Sequence, residues 1–236
     1  VVKLSIVIPY YNRKQLLINV LKSIDYYSIG NNVELIVVDD GSDNQQQIYD
    51  IKLKNLNINL IRIERSTKWR GPCIAYNIGF KAAMGDVIMI NSSEVVHMGD
   101  VIGYVFKNMT PDKYIAFSTY MANEDEVLYK LIFNNFWGVH SSIGNSIPYC
   151  AAIGKEKMDI LGGYDERFAK GIGFDDYDFT DRIYNLGLKM IIIDKPFVVH
   201  QWHKPTEYLN TINLDLLNYL RINFPDRIKA NEFNVD

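Results

Sequence analysis

Only two of the 236 residues are cysteine, Cys73 and Cys150, and neither stands in a metal-type cluster. That argues against a disulfide-stapled scaffold, and both thiols are expected to be free and buried. Nor is there an excess of positive charge, since 25 Lys and Arg against 28 Asp and Glu leave a formal charge of -3. Without a basic stripe to follow a phosphate backbone, nucleic acid is not expected as a partner, while local basic clusters still suit a small anion. Long apolar runs are missing too: none approaches the ~20 residues needed to cross a bilayer. The start, Val1-Val2-Lys3-Leu4, is not a charged-then-apolar secretory signal. Beginning with Val1 rather than Met, the chain is expected to be trimmed from a longer protein, with an anchor or further domain lost. The expected location is cytoplasmic or membrane-peripheral. No internal repeat occurs, and the tract Gln45-Gln46-Gln47 reads as a solvated loop.

What is present is a chain 48% hydrophobic and 22% charged, long enough to bury one substantial core. Leu4-Ser5-Ile6-Val7-Ile8 is a short apolar run ended by Pro9, after which Leu16, Leu17, Val20, Leu21 and Ile24 recur at helical spacing. Residues 33–38 form a second run, closed by Asp39-Asp40-Gly41-Ser42. A polar segment expected to be helical follows, and residues 58–63 form a third run. Pro72 opens a helix over 73–83, the Gly85-Asp86 turn comes next, and residues 87–90 are the fourth run. Strands alternating with helices predict an α/β, doubly wound, mostly parallel sheet buried on both faces. Ligands of such sheets sit beyond the carboxyl ends of the strands. Here those ends are polar: Pro9-Tyr10-Tyr11-Asn12, Asp39-Asp40-Gly41-Ser42, residues 65–70, and Asn91-Ser92-Ser93-Glu94. Residues 9–13 contain no glycine, which argues against a dinucleotide-binding dehydrogenase, where glycine lets the pyrophosphate approach the backbone.

Three further segments follow in order. They are Arg70-Gly71 with Ala75-Tyr76-Asn77-Ile78-Gly79, then Gly162-Gly163-Tyr164-Asp165-Glu166, then Gly171-Ile172-Gly173-Phe174-Asp175-Asp176-Tyr177-Asp178-Phe179. With Ser5-Ile6-Val7-Ile8-Pro9-Tyr10-Tyr11-Asn12 and Ile36-Val37-Val38-Asp39-Asp40-Gly41-Ser42, they resemble the inverting family-two glycosyltransferases of the GT-A fold, from Leu4 to about His203. The resemblance implies a Rossmann-like sheet with an acceptor-side subregion and a C-terminal helix in a single domain. Residues 1–97 would bind the nucleotide, 98–205 would bind the acceptor and carry catalysis, and 206–236 would form a helical extension. It also implies a nucleotide-sugar donor, a UDP-sugar first, and a glycan, glycoprotein or glycolipid acceptor.

A carboxylate at the end of the second strand can accept the imide N–H of uracil, a directional bond that a neutral group makes more weakly. Asp39 or Asp40 is the candidate, and a plain helix cap is the other reading of that turn. Pro9 and Tyr10 would flank the base, with Tyr11 a core aromatic. Arg65, Lys68 and Arg70 suit a diphosphate whose charge grows as the sugar leaves; the resemblance sets Arg70 nearest the donor, and Asn77 on the following helix could reach phosphate or ribose.

After the fourth strand the family usually carries two carboxylates, one residue apart, that hold a divalent metal. This chain departs from that pattern, offering Asn91, Ser93 and Glu94. His200 or His203, in Val199-His200-Gln201-Trp202-His203, lies where the resemblance implies an imidazole ligand, so Glu94 with one of them is the expected site for Mn2+ or Mg2+. The other reading leaves all three as local hydrogen-bonding groups, as it does His97 and His140.

Transfer with inversion needs one base to take the acceptor hydroxyl proton. The motif match makes Asp176 that base. Asp175, in place of the usual glutamate, would orient the acceptor, and Asp178 is a further acceptor contact. A helix N-terminus accounts for at least one of the three. Gly171 and Gly173 would permit a backbone bend, and Gly163 with Tyr164 a close sugar approach. Trp137 and Trp202 could stack on sugar rings, and residues 123–146 are the natural place for a lid. A helix over 207–222 would pack on the sheet or on another subunit. The competing reading is a non-catalytic nucleotide-sugar- or carbohydrate-binding relative, motivated by the missing pair of metal carboxylates.

Overall fold

Every residue of the strand Val87–Asn91 is buried, and so are six of the seven in Leu4–Tyr10, as expected of strands covered on both faces. The computed structural model, which describes residues 3–125, 128–130, 149–204 and 212–231, shows how this is done. β1 (Leu4–Tyr10), β2 (Val33–Asp39), β3 (Ile58–Arg62) and β4 (Val87–Asn91) run parallel in the order β3-β2-β1-β4. Side chains alternate along β1. Ile6 and Ile8 join Leu17, Val20, Leu21 and Ile24 of helix α1 (Lys14–Tyr27) on one face, while Val7 meets Ala75, Tyr76 and Phe80 of α2 (Cys73–Ala82) on the other.

The expected helix between β2 and β3 does not form. Among the described residues that segment holds only a 3-10 turn, Asn44–Gln46. The buried Asp25 carboxylate accepts the backbone N–H groups of Lys54, Asn55 and Leu56 at 3.1, 2.8 and 2.9 Å, satisfying donors that a helix would have paired internally.

Beyond β4 the strand directions become mixed. β5 (Val95–Met98) leads through α3 (Val101–Asn108) to β6 (Lys113–Ala122) and β7 (Leu128–Lys130). β8 (Cys150–Gly154), α4 (Lys155–Leu161), α5 (Asp175–Asn185), β9 (Lys189–His200) and α6 (Ile212–Asn223) complete the described chain. The sheet continues β4-β8-β6-β9-β5, with β6–β9 parallel and the other pairs of this half antiparallel; β7 pairs with β6 at the side. The parallel order expected from the sequence therefore describes the first four strands, and the second half of the chain adds antiparallel strands to the same α/β sheet.

Both cysteines are free and buried. Leu217 and Leu220 of α6 pack into the core, whereas Leu209 of the expected longer helix lies outside the described residues. Among the described residues, no helix is long and apolar enough to cross a membrane.

Candidate active site

At the tip of β1 the aromatic pair is reversed from expectation. Tyr10 is buried, and its hydroxyl donates to the Gln46 carbonyl at 2.6 Å; burial beside Asp39 pushes its pKa up to about 12. Tyr11 is the exposed ring, with the Arg65 guanidinium 5.9 Å from its centroid and donating to its hydroxyl at 3.1 Å. Strand alternation is the reason: Tyr10 follows Ile6 and Ile8 on the same face. Pro9 is half-buried in the strand beside it.

The two carboxylates after β2 also separate. Asp39 is buried, accepts the Ser42 N–H at 2.8 Å and pairs with Arg62, whose other arm reaches the Ser42 carbonyl at 2.7 Å. Asp40 stands at the edge, paired with Arg70, which also donates to the Glu64 carbonyl at 2.8 Å. Burial raises the Asp40 pKa against the pull of Arg70. Nε of Arg70 has no partner among the described residues.

After β4, Asn91 turns away from solvent. Fully buried, it faces His97 Nε2 through its carbonyl oxygen at 2.9 Å and donates to the Ser92 and Val95 carbonyls, closing the β4–β5 turn rather than facing a donor. Burial drives the His97 pKa down to about 3, so its ring is neutral. Glu94 is buried and accepts from Ser92 Oγ at 2.5 Å, Ser93 Oγ at 2.9 Å and Arg13 Nη1 at 2.7 Å. Burial opposes its ionisation, yet these donors outweigh it and hold the pKa below the ordinary value. His200 and His203 lie alongside with ring centroids 5.2 Å apart, and Arg13 Nη1 is 3.3 Å from His203 Nε2. Glu94, Ser93, His200 and His203 are thus brought to one corner, but the Arg13 guanidinium stands between Glu94 and His203. Among the described residues, no group of three or more His, Cys, Asp or Glu side chains is arranged to hold a metal ion. As placed, this donor set does not fit a divalent ion, because Glu94 is already engaged by three donors, one of them cationic.

Across the cleft, Asn77 and the Gly163-Tyr164 turn hold each other. The Asn77 amide donates to the Tyr164 carbonyl at 2.8 Å and to Glu166 at 3.0 Å, and accepts the Tyr164 N–H at 2.8 Å. Gly163 has φ +75°, and a Cβ there would collide with the Asn77 amide oxygen. Asn77 is therefore committed to this turn and not to phosphate or ribose. Tyr164 is buried as well, stacked on Phe179 at 4.7 Å; its hydroxyl donates to Asp176 at 3.2 Å, so it supports the candidate base instead of offering a sugar platform.

Asp175 and Asp176 begin α5, just after Phe174 in the left-handed region (φ 66°) and Gly173 (φ +71°). Asp175 is buried, with the Cys73 thiol 3.5 Å away at the start of α2. Asp176 is half-buried. Burial first, and the neighbouring Asp175 second, raise its pKa well above the carboxylate range. Asp178 faces inward: it pairs with Arg182 (2.9 Å) and with Arg227, and Arg227 also holds Asp165 at 2.8 Å. Its side chain serves an interior ion network, not an acceptor.

Trp137 and His140 lie outside the described residues, as does most of the segment expected to form a lid. Trp202 is exposed beside His203. Three residues that the motifs did not single out matter here. Arg13 pairs with Glu94, Arg62 pairs with Asp39, and the Trp69 indole donates to the Gly171 carbonyl at 2.8 Å. Together with the Gly71 N–H to Ala169 carbonyl bond at 3.0 Å, Trp69 ties the Arg70 segment to the loop carrying Asp176. Only Arg62, a charge closing the short run of β3, left a sequence signal.

Comparison with known proteins agrees with this geometry. The model of the family described as Glycosyl transferase family 2 matches residues 5–163. Dolichol-phosphate mannosyltransferase of Pyrococcus furiosus is 33% identical over 102 residues, which are 42% of this chain and 28% of that protein. The amylovoran biosynthesis glycosyltransferase AmsB of Erwinia amylovora is 25% identical over 224 residues, covering 88% of this chain and 71% of that protein. Among solved structures, S. aureus TarS 1-349 in complex with UDP-GlcNAc superposes with a TM-score of 0.71 at 17% identity, over 94% of this chain and 67% of that one. The Pyrobaculum calidifontis mannosyltransferase PcManGT in complex with GDP-Man and Mn2+ gives 0.60 at 15% identity, over 87% and 58%. The parallel strand block, the polar strand tips and the acidic start of α5 therefore belong to a member of glycosyl transferase family 2 with the GT-A fold.

Proposed function

We propose that the chain moves a sugar from a nucleotide-sugar, a UDP-sugar first, to a hydroxyl of a glycan, glycoprotein or glycolipid, with inversion at the anomeric carbon. The observation that carries this reading is Asp176: a half-buried carboxylate at the start of α5, with raised proton affinity and one hydroxyl donor, on a loop tied to the Arg70 segment. A base works best when its pKa approaches the working pH, and burial moves Asp176 in that direction. In the transfer step the acceptor oxygen bonds to the anomeric carbon as its proton passes to Asp176. The bond from that carbon to the diphosphate oxygen breaks, and the electron pair leaves on the diphosphate. Arg70 meets part of that charge. Asp40, less buried than Asp39, is the better placed of the two carboxylates after β2 to accept the uracil imide, since Asp39 is enclosed by Arg62 and Ser42.

The test is transfer from UDP-linked and GDP-linked sugars by wild type and Asp176→Asn, with UDP affinity measured alongside. Loss of transfer with retained affinity supports the reading. Full transfer by the variant removes Asp176 from the base role, and tight donor binding by a wild type that turns over no acceptor would favour a binding module.

A further inference from the structure

We infer that the Arg13 guanidinium is the fixed cation that receives the donor diphosphate in this chain, standing between Glu94 and His203 where a divalent ion would otherwise be gathered. The inference rests on the nucleotide-sugar reading above.

The ligand atoms themselves point to it. Arg13 Nη1 lies 2.7 Å from Glu94 Oε1 and 3.3 Å from His203 Nε2. His203 Nδ1 is 3.1 Å from the Lys204 carbonyl, which makes Nδ1 the protonated nitrogen and leaves the Nε2 lone pair directed at Arg13. One carboxylate oxygen and one imidazole lone pair, the two atoms a metal would use, therefore converge on a nitrogen that is already positively charged. A buried carboxylate needs a cation or a set of donors, and Arg13 supplies the charge that balances Glu94.

The backbone holds that side chain in place. Asn12 (φ 54°) and Arg13 (φ 63°) are consecutive residues in the left-handed region, where side chains other than glycine are uncommon. The Asn12 N–H donates to Ser42 Oγ at 2.8 Å, and the Asp43 N–H donates to Asn12 Oδ1 at 3.0 Å, so the loops after β1 and β2 fix the turn between them. Strain of this kind persists where the surroundings over-determine it.

The guanidinium also has capacity left. Its Nε and Nη2 carry no partner among the described residues, its side chain is 36% exposed, and it borders an open cleft of about 570 Å³ with Lys14, Asp43 and Gln46. Unused N–H groups of a planar fork suit a phosphate group. As the sugar–diphosphate bond breaks, the charge growing on the leaving oxygen meets a fixed guanidinium. Glu94 and His203 act as positioning residues for Arg13.

The experiment is calorimetric titration of UDP and of uridine into wild type, Arg13→Gln and Arg13→Lys, each in EDTA and in Mn2+. Wild type is expected to bind UDP equally in the two, within about twofold. Arg13→Gln should lose at least about tenfold in UDP affinity in EDTA, the scale of a hydrogen bond to a charged group, and keep its uridine affinity. Mn2+ should return part of that loss, because Glu94 and His203 are released, and Arg13→Lys should fall between. A wild type that needs Mn2+ to bind UDP overturns the inference, and so does Arg13→Gln binding UDP as tightly as wild type. If Arg13→Gln loses uridine as well, its fold is damaged and Arg13→Lys decides: weakened UDP binding with intact uridine binding supports the inference, and unchanged UDP binding overturns it. A wild type that binds neither UDP nor uridine nor GDP sinks the nucleotide-sugar reading itself and this inference with it, a result distinct from UDP binding to which Arg13 is immaterial.

Discussion

Asp165 and Asp176 flank the same stretch of chain, and their surroundings push them in opposite directions. Asp165 is fully buried, yet bonds from Arg167 and Arg227 outweigh the penalty of burial and hold its pKa at about 2. Asp176 is only half-buried, but among the described residues no guanidinium pairs with it; burial and Asp175 raise its pKa, and the Tyr164 hydroxyl opposes them. A carboxylate matched by arginine is a piece of architecture, whereas one left with a single neutral donor holds a proton-accepting capacity that chemistry can use. The same contrast separates the arginines. Arg182 and Arg227 are enclosed among Asp165, Asp178 and backbone carbonyls, while Arg13 keeps donors in reserve at the mouth of a cleft.

The comparison breaks most visibly if Asp176 is dispensable. Asp176→Asn should lower sugar transfer by about 10²–10⁴-fold, the contribution of a positioned general base, with UDP affinity near that of wild type. Removing the partner from the other carboxylate should be felt in stability instead. Arg227→Ala removes the cation shared by the buried Asp165 and Asp178, leaving Arg167 and Arg182 as their remaining partners, and should destabilise by about 3 kcal/mol in urea unfolding. A change below about 1 kcal/mol, the range of an exposed pair, would mean that the network is not a structural element.

pH sharpens the contrast, because the two signs differ. The folded-state pKa of Asp165 is depressed, so its stabilising contribution is present above the unfolded value of about 3.9 and is lost as pH falls through about 2. The folded-state pKa of Asp176 is raised, so its contribution is present below the unfolded value and is lost as pH rises through the folded one. Asp176→Asn should therefore melt higher than wild type at neutral pH, with the gap closing below about pH 4. The acid limb of the transfer rate should lie above the ordinary carboxylate range; a limb inside that range would show the base to be unperturbed. The smallest effect is expected at Gly163→Ala, where a positive φ and the Asn77 amide oxygen both resist a Cβ. It should cost roughly 1–3 kcal/mol in thermal or urea unfolding and leave the acid limb in place.

Periodicity made the parallel half of the sheet legible. The apolar runs ending at Pro9, Asp39, Ile63 and Asn91 are β1 to β4 to within a residue or two, because a strand inside a sheet covered by helices needs a short, near-continuous apolar run. The segment after β2 was misjudged, since its backbone donors are met by Asp25, a residue of α1 distant in sequence. Asn77, Asn91 and Asp178 carry side chains suited to ligands, but each is satisfied inside the protein: Asn77 and Asp178 by the distant Tyr164 backbone and Arg227, and Asn91 by His97 across the turn that follows it.

By itself, then, the order of residues determined which segments become strands, which tips are polar, and that an aspartate pair opens α5, because these follow from local periodicity and motif spacing. Only the tertiary structure decided which polar groups are committed and which are open. It paired Arg13 with Glu94 and, among the described residues, gave Asp176 the Tyr164 hydroxyl and no guanidinium. The physical reason is that a charged group's partner, and hence its proton affinity and remaining hydrogen-bonding capacity, is set by what the fold brings within a few ångströms, at sequence separations that no local pattern encodes.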